Sequence, residues 1–562
     1  MAEVAAPARP WTKALAVYLE RRTLVMLALG FAAGLPFLLV FDTLSAWLRQ
    51  AGQSLDVIAF FSLATLAYAF KFLWAPVVDR TAVPGLTRLL GHRRSWMLVV
   101  QIIIIAGLTM ISFTDPAGGI GLMATFAVLT GFASATQDIV IDAWRIEVAP
   151  ENEQGAMAAA YQWGYRIAFI TAGAAPLFLA DAFSWSVSYG VMASLMVIGV
   201  IAVWLAPRER AHAVRPIPRT DGPPRPVMDR LEWLVRLGVL IVGAIILGTG
   251  LSAKATFLSA LMPSGLAAPF LAAWAARPLG LLLQLAAIIL GFAVIVIAAW
   301  PLPGKPTQPG LFLSHAFGEP IADFLTRFGR AASLIVFLIC FYRISDFVLN
   351  IMNPFYLDLG FTLTEVAQVR KIFGALMFML GVFAGGFAIA RWGLMGPLVA
   401  GAIIAPLSNL TFAWLSTVGP SVPGLMIALG FNNIAQSFAG TCLIAYMSSL
   451  TSAGFTASQY ALFSSLYALP DKFIMTQSGR IVESVAQSAE NGGLFAPLKA
   501  LFSTLPETSF ALGATKAGLA PASLGAGYFA FFIYTFLIGL IVVPAAFAVA
   551  RRKDAQTATI GR

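Results

Sequence analysis

The sequence predicts an all-α polytopic membrane protein: two six-helix bundles with two extra helices between them, 14 spans in all. Three observations predict it. Of 562 residues, 59% are hydrophobic and only 11% charged. A soluble domain carries roughly 25% charged residues, so the outside of this chain faces lipid. The apolar residues come in runs long enough to cross a bilayer as helices, which takes about 20 residues. The basic residues gather in every second connection between the runs, as cytoplasmic loops require.

The first bundle, within 1–206, takes the runs at 23–48, 55–78, 95–114, 118–144, 155–180 and 184–206. A stretch rich in Pro and Arg follows at 207–230, then two apolar runs at 232–252 and 278–300, then 301–330 with five prolines. Residues 207–330 therefore read as a cytoplasmic linker holding two additional transmembrane helices. The second bundle, within 331–562, takes the runs at 331–357, 364–389, 393–417, 422–450, 457–480 and 524–550. Between its last two spans, 481–523 is too polar and Gly-rich to cross and reads as a periplasmic loop. Met1 to Arg22 lacks the order of charged region, apolar core and small-residue cleavage site that a secretory leader needs.

With the N-terminus in the cytoplasm, inside segments hold 23 of the 36 Lys and Arg, and outside segments hold 5. Both termini are then cytoplasmic, and most of the net charge of +10 is topogenic rather than a nucleic-acid signal. His92, His212 and His315 lie far apart, and Cys340 and Cys442 stand alone in apolar runs. No metal site, disulfide framework or cofactor is expected from that pattern. The lipid bilayer is the expected surrounding, with no nucleic acid and no obligate protein partner.

After the second span the chain reads Ala75-Pro76-Val77-Val78-Asp79-Arg80, and then Gly91-His92-Arg93-Arg94. Asp79 can pair with a base at the inner end of span four, where Arg145 stands. Asp79, Arg80, Arg93, Arg94 and Arg145 form one candidate gate; the alternative is that Arg93 and Arg94 merely obey the charge rule. Asp471 and Lys472, midway along span eleven after Pro470, extend the gating set, because proline frees a backbone carbonyl and can kink the helix.

Ionisable groups inside a span cost roughly 2.5 kcal/mol or more, so they normally face a watery cavity or a partner. Asp138 and Asp142, four apart on one face of span four, either handle protons or serve as a hydrated gate beside Arg145. Two close carboxylates disfavour joint ionisation. Arg166, near mid-depth in span five, needs a carboxylate or an anionic substrate. In span seven, Arg343 and Asp346 can bridge each other, and Asp346 is also deep enough to couple protons. Lys71 either snorkels inward or meets substrate, and Lys371 stands in span eight behind an expected cap at Thr364-Glu365. Gln137, Tyr165, Asn433 and Gln436 complete the candidate substrate-binding set, with helix–helix glue as the alternative for the last two. Acids and bases at depth in both halves suit a polar substrate with fixed charges. Tyr161, Trp163, Tyr165 and Tyr342 add aromatic faces of the kind sugar rings stack upon.

Two six-span halves around a basic linker resemble the major facilitator superfamily, whose loop after span two has the pattern G-x-L-a-D-R-x-G-R-R. Here that pattern is split by a turn with Pro84 and Gly85, and Ala75 replaces its first glycine. Within the superfamily, four stretches resemble AmpG-type muropeptide permeases. They are Gly30-Phe31-Ala32-Ala33-Gly34-Leu35-Pro36 with Leu44-Ser45-Ala46-Trp47; Tyr68-Ala69-Phe70-Lys71-Phe72-Leu73-Trp74; Ala133-Ser134-Ala135-Thr136-Gln137-Asp138-Ile139-Val140-Ile141-Asp142-Ala143-Trp144 with Gly164-Tyr165-Arg166; and Gly360-Phe361, Glu365-Val366 and Phe455-Thr456-Ala457-Ser458-Gln459-Tyr460-Ala461-Leu462. The resemblance implies a bacterial inner-membrane importer of GlcNAc–1,6-anhydro-MurNAc, with or without stem peptide. It implies proton symport, a part in peptidoglycan recycling and, where the regulators exist, in β-lactamase induction. A carrier of another anionic metabolite, such as acetyl-coenzyme A or a sugar phosphate, is the rival reading. A polytopic enzyme would need a catalytic carboxylate with a metal or diphosphate cradle, and the longest outer loop supplies only Glu483, Glu490 and Glu507.

Overall fold

A computed structural model describes residues 10–53, 68, 70–116, 118–209, 225–252, 255, 258–259, 262–276, 279–300, 307–475 and 478–560. Among them every regular element is helical. Most of the expected second span, 55–67, lies outside the described residues, as do the side chains of Lys371, Asp471 and Lys472.

The first bundle comprises α1 (Arg21–Gln50), α2 (Ala75–Arg80, the inner end of span two), α3 (His92–Ser112), α4 (Ile120–Val148), α5 (Gln154–Ala182) and α6 (Trp185–Leu205). Proline interrupts two of these helices. Pro36 cannot donate to the Ala32 carbonyl one turn back, and in lipid that carbonyl must find a partner within the protein. The Gln137 side chain supplies it, donating from Nε2 at 2.9 Å. Pro176 in α5 likewise strands the Ala172 carbonyl, and the Thr43 hydroxyl donates to it at 3.0 Å. Glycine sets how close helices come. A Cβ at Gly30 would overlap the Tyr161 carbonyl, and one at Gly164 would overlap that of Leu27, so α1 and α5 touch backbone to backbone.

The two additional helices are α7 (Pro226–Ser252) and α8 (Leu279–Ala299). They form a hairpin closed by Gly243, Gly250 and Gly291, each too close to the opposite helix to accept a Cβ. Buried Arg236 fastens its end, donating to the carbonyls of Ala298 at 2.6 Å and Trp300 at 2.8 Å and pairing with Glu232 at 2.7 Å. Leu247 and Ile295 pack with Phe70, beside Phe72, Leu73 and Trp74. The hairpin thus lies against the inner part of span two. The linker that follows is not all loop: α9 (Glu319–Phe328) is a helix with Pro320 and Phe324 buried and its charges on the other face.

The second bundle opens with a broken span. Where one helix is expected over 331–357, α10 (Ala332–Phe341) is followed by a 3-10 stretch, Ile344–Ile351, and then α11 (Met352–Leu359). Next come α12 (Gly374–Trp392), α13 (Met395–Val418), α14 (Val422–Ser449), α15 (Thr456–Met475), α16 (Ser478–Glu490) and α17 (Pro521–Arg552). The cap ahead of α12 is Thr362 rather than Thr364. Its hydroxyl accepts from the Glu365 N–H while the Glu365 carboxylate accepts from the Thr362 N–H. Residues 481–490 are helical, not loop. Val482, Ala486 and Ala489 recur at helical spacing, are buried, and pack on α17, where a Cβ at Gly527 would meet the Val482 carbonyl at 2.6 Å. Beyond Glu490 lies a small cap. Phe510, at φ +61°, donates its N–H to the Asp358 carbonyl at 2.6 Å, which moors the cap to α11.

Candidate functional site

Both termini of the described chain, α9 and the Pro/Arg-rich linker ends share one face of the molecule, here termed the linker face. On it the two bundles meet through charged and polar side chains. Asp79 ends α2 and is 1% exposed. It pairs with Arg93 at 2.7 Å and accepts from the N–H groups of Ala457 (3.2 Å) and Ser458 (2.8 Å) and from the Ser458 hydroxyl (2.6 Å). It therefore closes the first turn of α15, a helix start whose free N–H groups and dipole favour a carboxylate. Arg93 is fully buried and also pairs with Glu147 of α4 at 2.7 Å. The expected Asp79–Arg145 pair is absent because Arg93 lies nearer and Arg145 is otherwise engaged. Arg145 donates to Gln154 (3.0 Å) and to Ser448 of α14 (2.9 Å), pairs with Asp142 (3.3 Å), and lies over the Tyr460 ring at 5.3 Å. Arg80 reaches α9, donating to the His315 carbonyl at 2.7 Å and pairing with Glu319 at 2.6 Å. Arg94 does not join the halves: it donates to the Val203 and Trp204 carbonyls at the end of α6.

Further contacts join α5 to α12 and α14. Gly155 and Gly386 bring α5 and α12 into backbone contact, Gln162 donates to the Thr441 hydroxyl at 3.1 Å, and Trp163 donates to the Met379 carbonyl at 3.0 Å. N-terminal to α1, the Tyr18 hydroxyl donates to the Phe383 carbonyl at 3.0 Å, and Arg391 lies over the Trp11 ring at 4.5 Å. All these inter-bundle contacts fall on the linker side of Arg166. The arrangement is closed on that face.

Deeper in, the buried carboxylate of Asp138 lies ten residues from the linker end of α4, about 15 Å at about 1.5 Å per residue. It accepts from the Tyr161 hydroxyl at 3.2 Å, and Lys71 and Asp142 lie within electrostatic reach. Tyr68 and Tyr165 flank the same carboxylate. The sequence brings these groups together because Asp138 and Asp142 share a face of α4 while Tyr161 and Tyr165 share a face of α5. Arg166 follows, half-buried, its guanidinium over the Phe378 ring at 4.1 Å. Among the described residues it makes no ion pair, and Arg343 of the other bundle is close enough to repel it. Arg343 sits at the break of span seven, pairing with Asp346 and donating to the Tyr467 hydroxyl at 2.8 Å. A broken helix at mid-depth is where carriers place their binding groups.

Three of the candidate ligand contacts are instead fasteners within one bundle. Gln137 is fully buried and serves Ala32 across Pro36. Gln436 donates to the Ala405 carbonyl at 3.3 Å, and Asn433 donates to the Gly374 carbonyl at 3.2 Å. Pro36 was the available signal for Gln137, because it strands the Ala32 carbonyl. Two residues with large roles at the closure, Glu147 and Ser458, escaped sequence reasoning; neither lies deep enough in a span to look costly.

The family model described as Major Facilitator Superfamily matches residues 51–291. Among curated proteins, the anhydromuropeptide permease of Escherichia coli (strain K12) is 29% identical over 473 residues, covering 84% of this chain and 76% of that protein. The putative transporter AmpG 4 of Rickettsia felis is 26% identical over 469 residues, covering 83% and 91%. The putative transporter AmpG 3 of Rickettsia prowazekii is 25% identical over 458 residues, covering 81% and 88%. With its paired bundles, broken seventh span and closed linker face, the chain is similar to the major facilitator superfamily over residues 51–291 and, over most of its length, to AmpG-type transporters.

Proposed function

We propose that this permease imports anhydro-muropeptides, GlcNAc–1,6-anhydro-MurNAc with or without stem peptide, across a bacterial inner membrane for peptidoglycan recycling, driven by proton symport. The single supporting observation is the Arg166 guanidinium at mid-depth, without an ion pair among the described residues and facing Arg343. A guanidinium at such depth without an ion pair calls for an anion, and a muropeptide brings carboxylates for charge-assisted bonds. The names of the relatives support the same substrate. Tyr165 and the neighbouring rings offer faces for its sugars.

In this reading Asp138 is the principal coupling group. Charged, it holds Tyr161 and attracts Lys71; protonated from outside, it releases both. Asp142 relays the change to Arg145 and so to Ser448 across the closure, and Asp346 does the same for Arg343 in the second bundle. The linker face is the cytoplasmic one, as the basic loops require. The test is uptake of labelled anhydro-disaccharide into proteoliposomes under a proton gradient. Asp138→Asn is expected to abolish uphill accumulation while leaving exchange of internal for external substrate within about threefold, since exchange needs binding but no net proton transfer. Normal accumulation by this variant would remove Asp138 from the coupling role.

A further inference from the structure

Apart from the central path, the linker face carries a cavity of about 500 Å³, within the range of small-molecule sites. Most of its walls are helix ends: Ile335 near the start of α10, Met395 at the start of α13 and Tyr446 in the last turn of α14; Val549 and Arg552 come from the last helix, which runs on to Ile560. Glu151, from the α4–α5 connection of the other bundle, completes the rim. Three helices beginning or ending here, and a fourth whose apolar span ends at Arg552, place the cavity where the hydrocarbon gives way to headgroups.

The chemistry of the wall is ordered by depth. Ile335, Met395 and Val549 make the membrane-ward part apolar. Arg552 and Glu151, both exposed, put one cation and one anion at the mouth, and Arg552 makes no ion pair among the described residues. The Tyr446 side chain is 1% exposed, and its hydroxyl has no hydrogen-bond partner among the described residues. Such a group is normally satisfied, by protein, water or ligand. An apolar body, a phosphate and an ammonium, in that order outward, match these groups.

We propose that the cavity is a binding site for an aminophospholipid of the linker-side leaflet. The phosphate diester pairs with Arg552, the headgroup ammonium with Glu151, and the first acyl carbons lie along Ile335, Met395 and Val549. Because Glu151 belongs to the first bundle and the other groups to the second, a bound lipid bridges the halves only while the linker face is closed. It then favours that state by its differential affinity. The site is independent of the transported substrate.

The test is lipid retention by the full-length protein, reconstituted in nanodiscs of equal phosphatidylethanolamine and phosphatidylcholine, extracted gently and weighed by native mass spectrometry. Phosphatidylcholine carries the same phosphate, but its methylated ammonium cannot donate a hydrogen bond to Glu151. Wild type is expected to keep phosphatidylethanolamine over phosphatidylcholine by about tenfold. Glu151→Gln is expected to keep lipid but bring that ratio close to one, and Arg552→Ala to lower retention of both lipids by about tenfold. Unchanged retention and unchanged preference in both variants would overturn the assignment. So would displacement of the lipid by an equal concentration of free O-phosphoethanolamine, which would make the ligand a soluble phosphate ester.

Discussion

Arg166→Ala is expected to raise the KM for anhydro-muropeptide uptake by about 30-fold while leaving the fold intact. A hydrogen bond to a charged group is worth roughly 1.5–3 kcal/mol, and about 2 kcal/mol corresponds to that factor. The fold survives because Arg166 holds no other helix by an ion pair among the described residues; its guanidinium lies over the Phe378 ring. That ring contact contributes about 0.5–2 kcal/mol for a half-buried guanidinium. Arg166→Lys is expected to recover only part of the loss, since a point charge cannot grip a carboxylate with two parallel bonds. Initial-rate uptake, with thermal unfolding alongside, checks the result. A KM within threefold of wild type would mean that the substrate's charge is met elsewhere.

Asp79→Ala is expected to shift the permease about 100-fold toward the state open on the linker face. The carboxylate receives two N–H groups and a hydroxyl from the first turn of α15, besides Arg93. Those three bonds to α15 exist only while the halves are together. Removing one partner from such a buried set leaves donors stranded, at about 1–3 kcal/mol for each polar group and more where charge is involved. Glu147 still neutralises Arg93, so the first bundle itself is spared. A net change of about 3 kcal/mol in the closed state alone gives the stated factor at about 1.4 kcal/mol per tenfold. Spin labels at the exposed positions Leu89 and Ala453 read it as a longer distance population. Asp79→Asn, which keeps one acceptor oxygen, is expected to fall between the two. An unchanged distance distribution in Asp79→Ala would show that α5 and α12 hold the face shut by themselves.

The spans were legible because burial in lipid writes itself as long apolar runs. Residues 481–490 were misjudged because their apolar side is a narrow stripe of Val482, Ala486 and Ala489 among serines and charges. Against a neighbouring helix a narrow stripe suffices; against lipid it does not. The break at Arg343–Asp346 carries no Gly or Pro in the sequence to announce it. The charged residues of the site could be listed from sequence, since each is expensive where it stands. Their pairing could not. Asp79 was expected to seek a basic side chain on span four, yet besides Arg93 its partners include backbone N–H groups at the start of a helix more than 370 residues away. Backbone donors leave no trace in residue identity.

Gln137 and Pro36 lie on different helices, and the Ala32 carbonyl makes them one unit. Replace Pro36 by an ordinary residue, and the amide of Gln137 becomes redundant. Replace Gln137 first, and an oxygen is left bare among hydrocarbon. The order in which the two positions change therefore decides whether a lineage passes through a crippled intermediate. Kept together they form an inherited couple, and the same holds for Pro176 with Thr43.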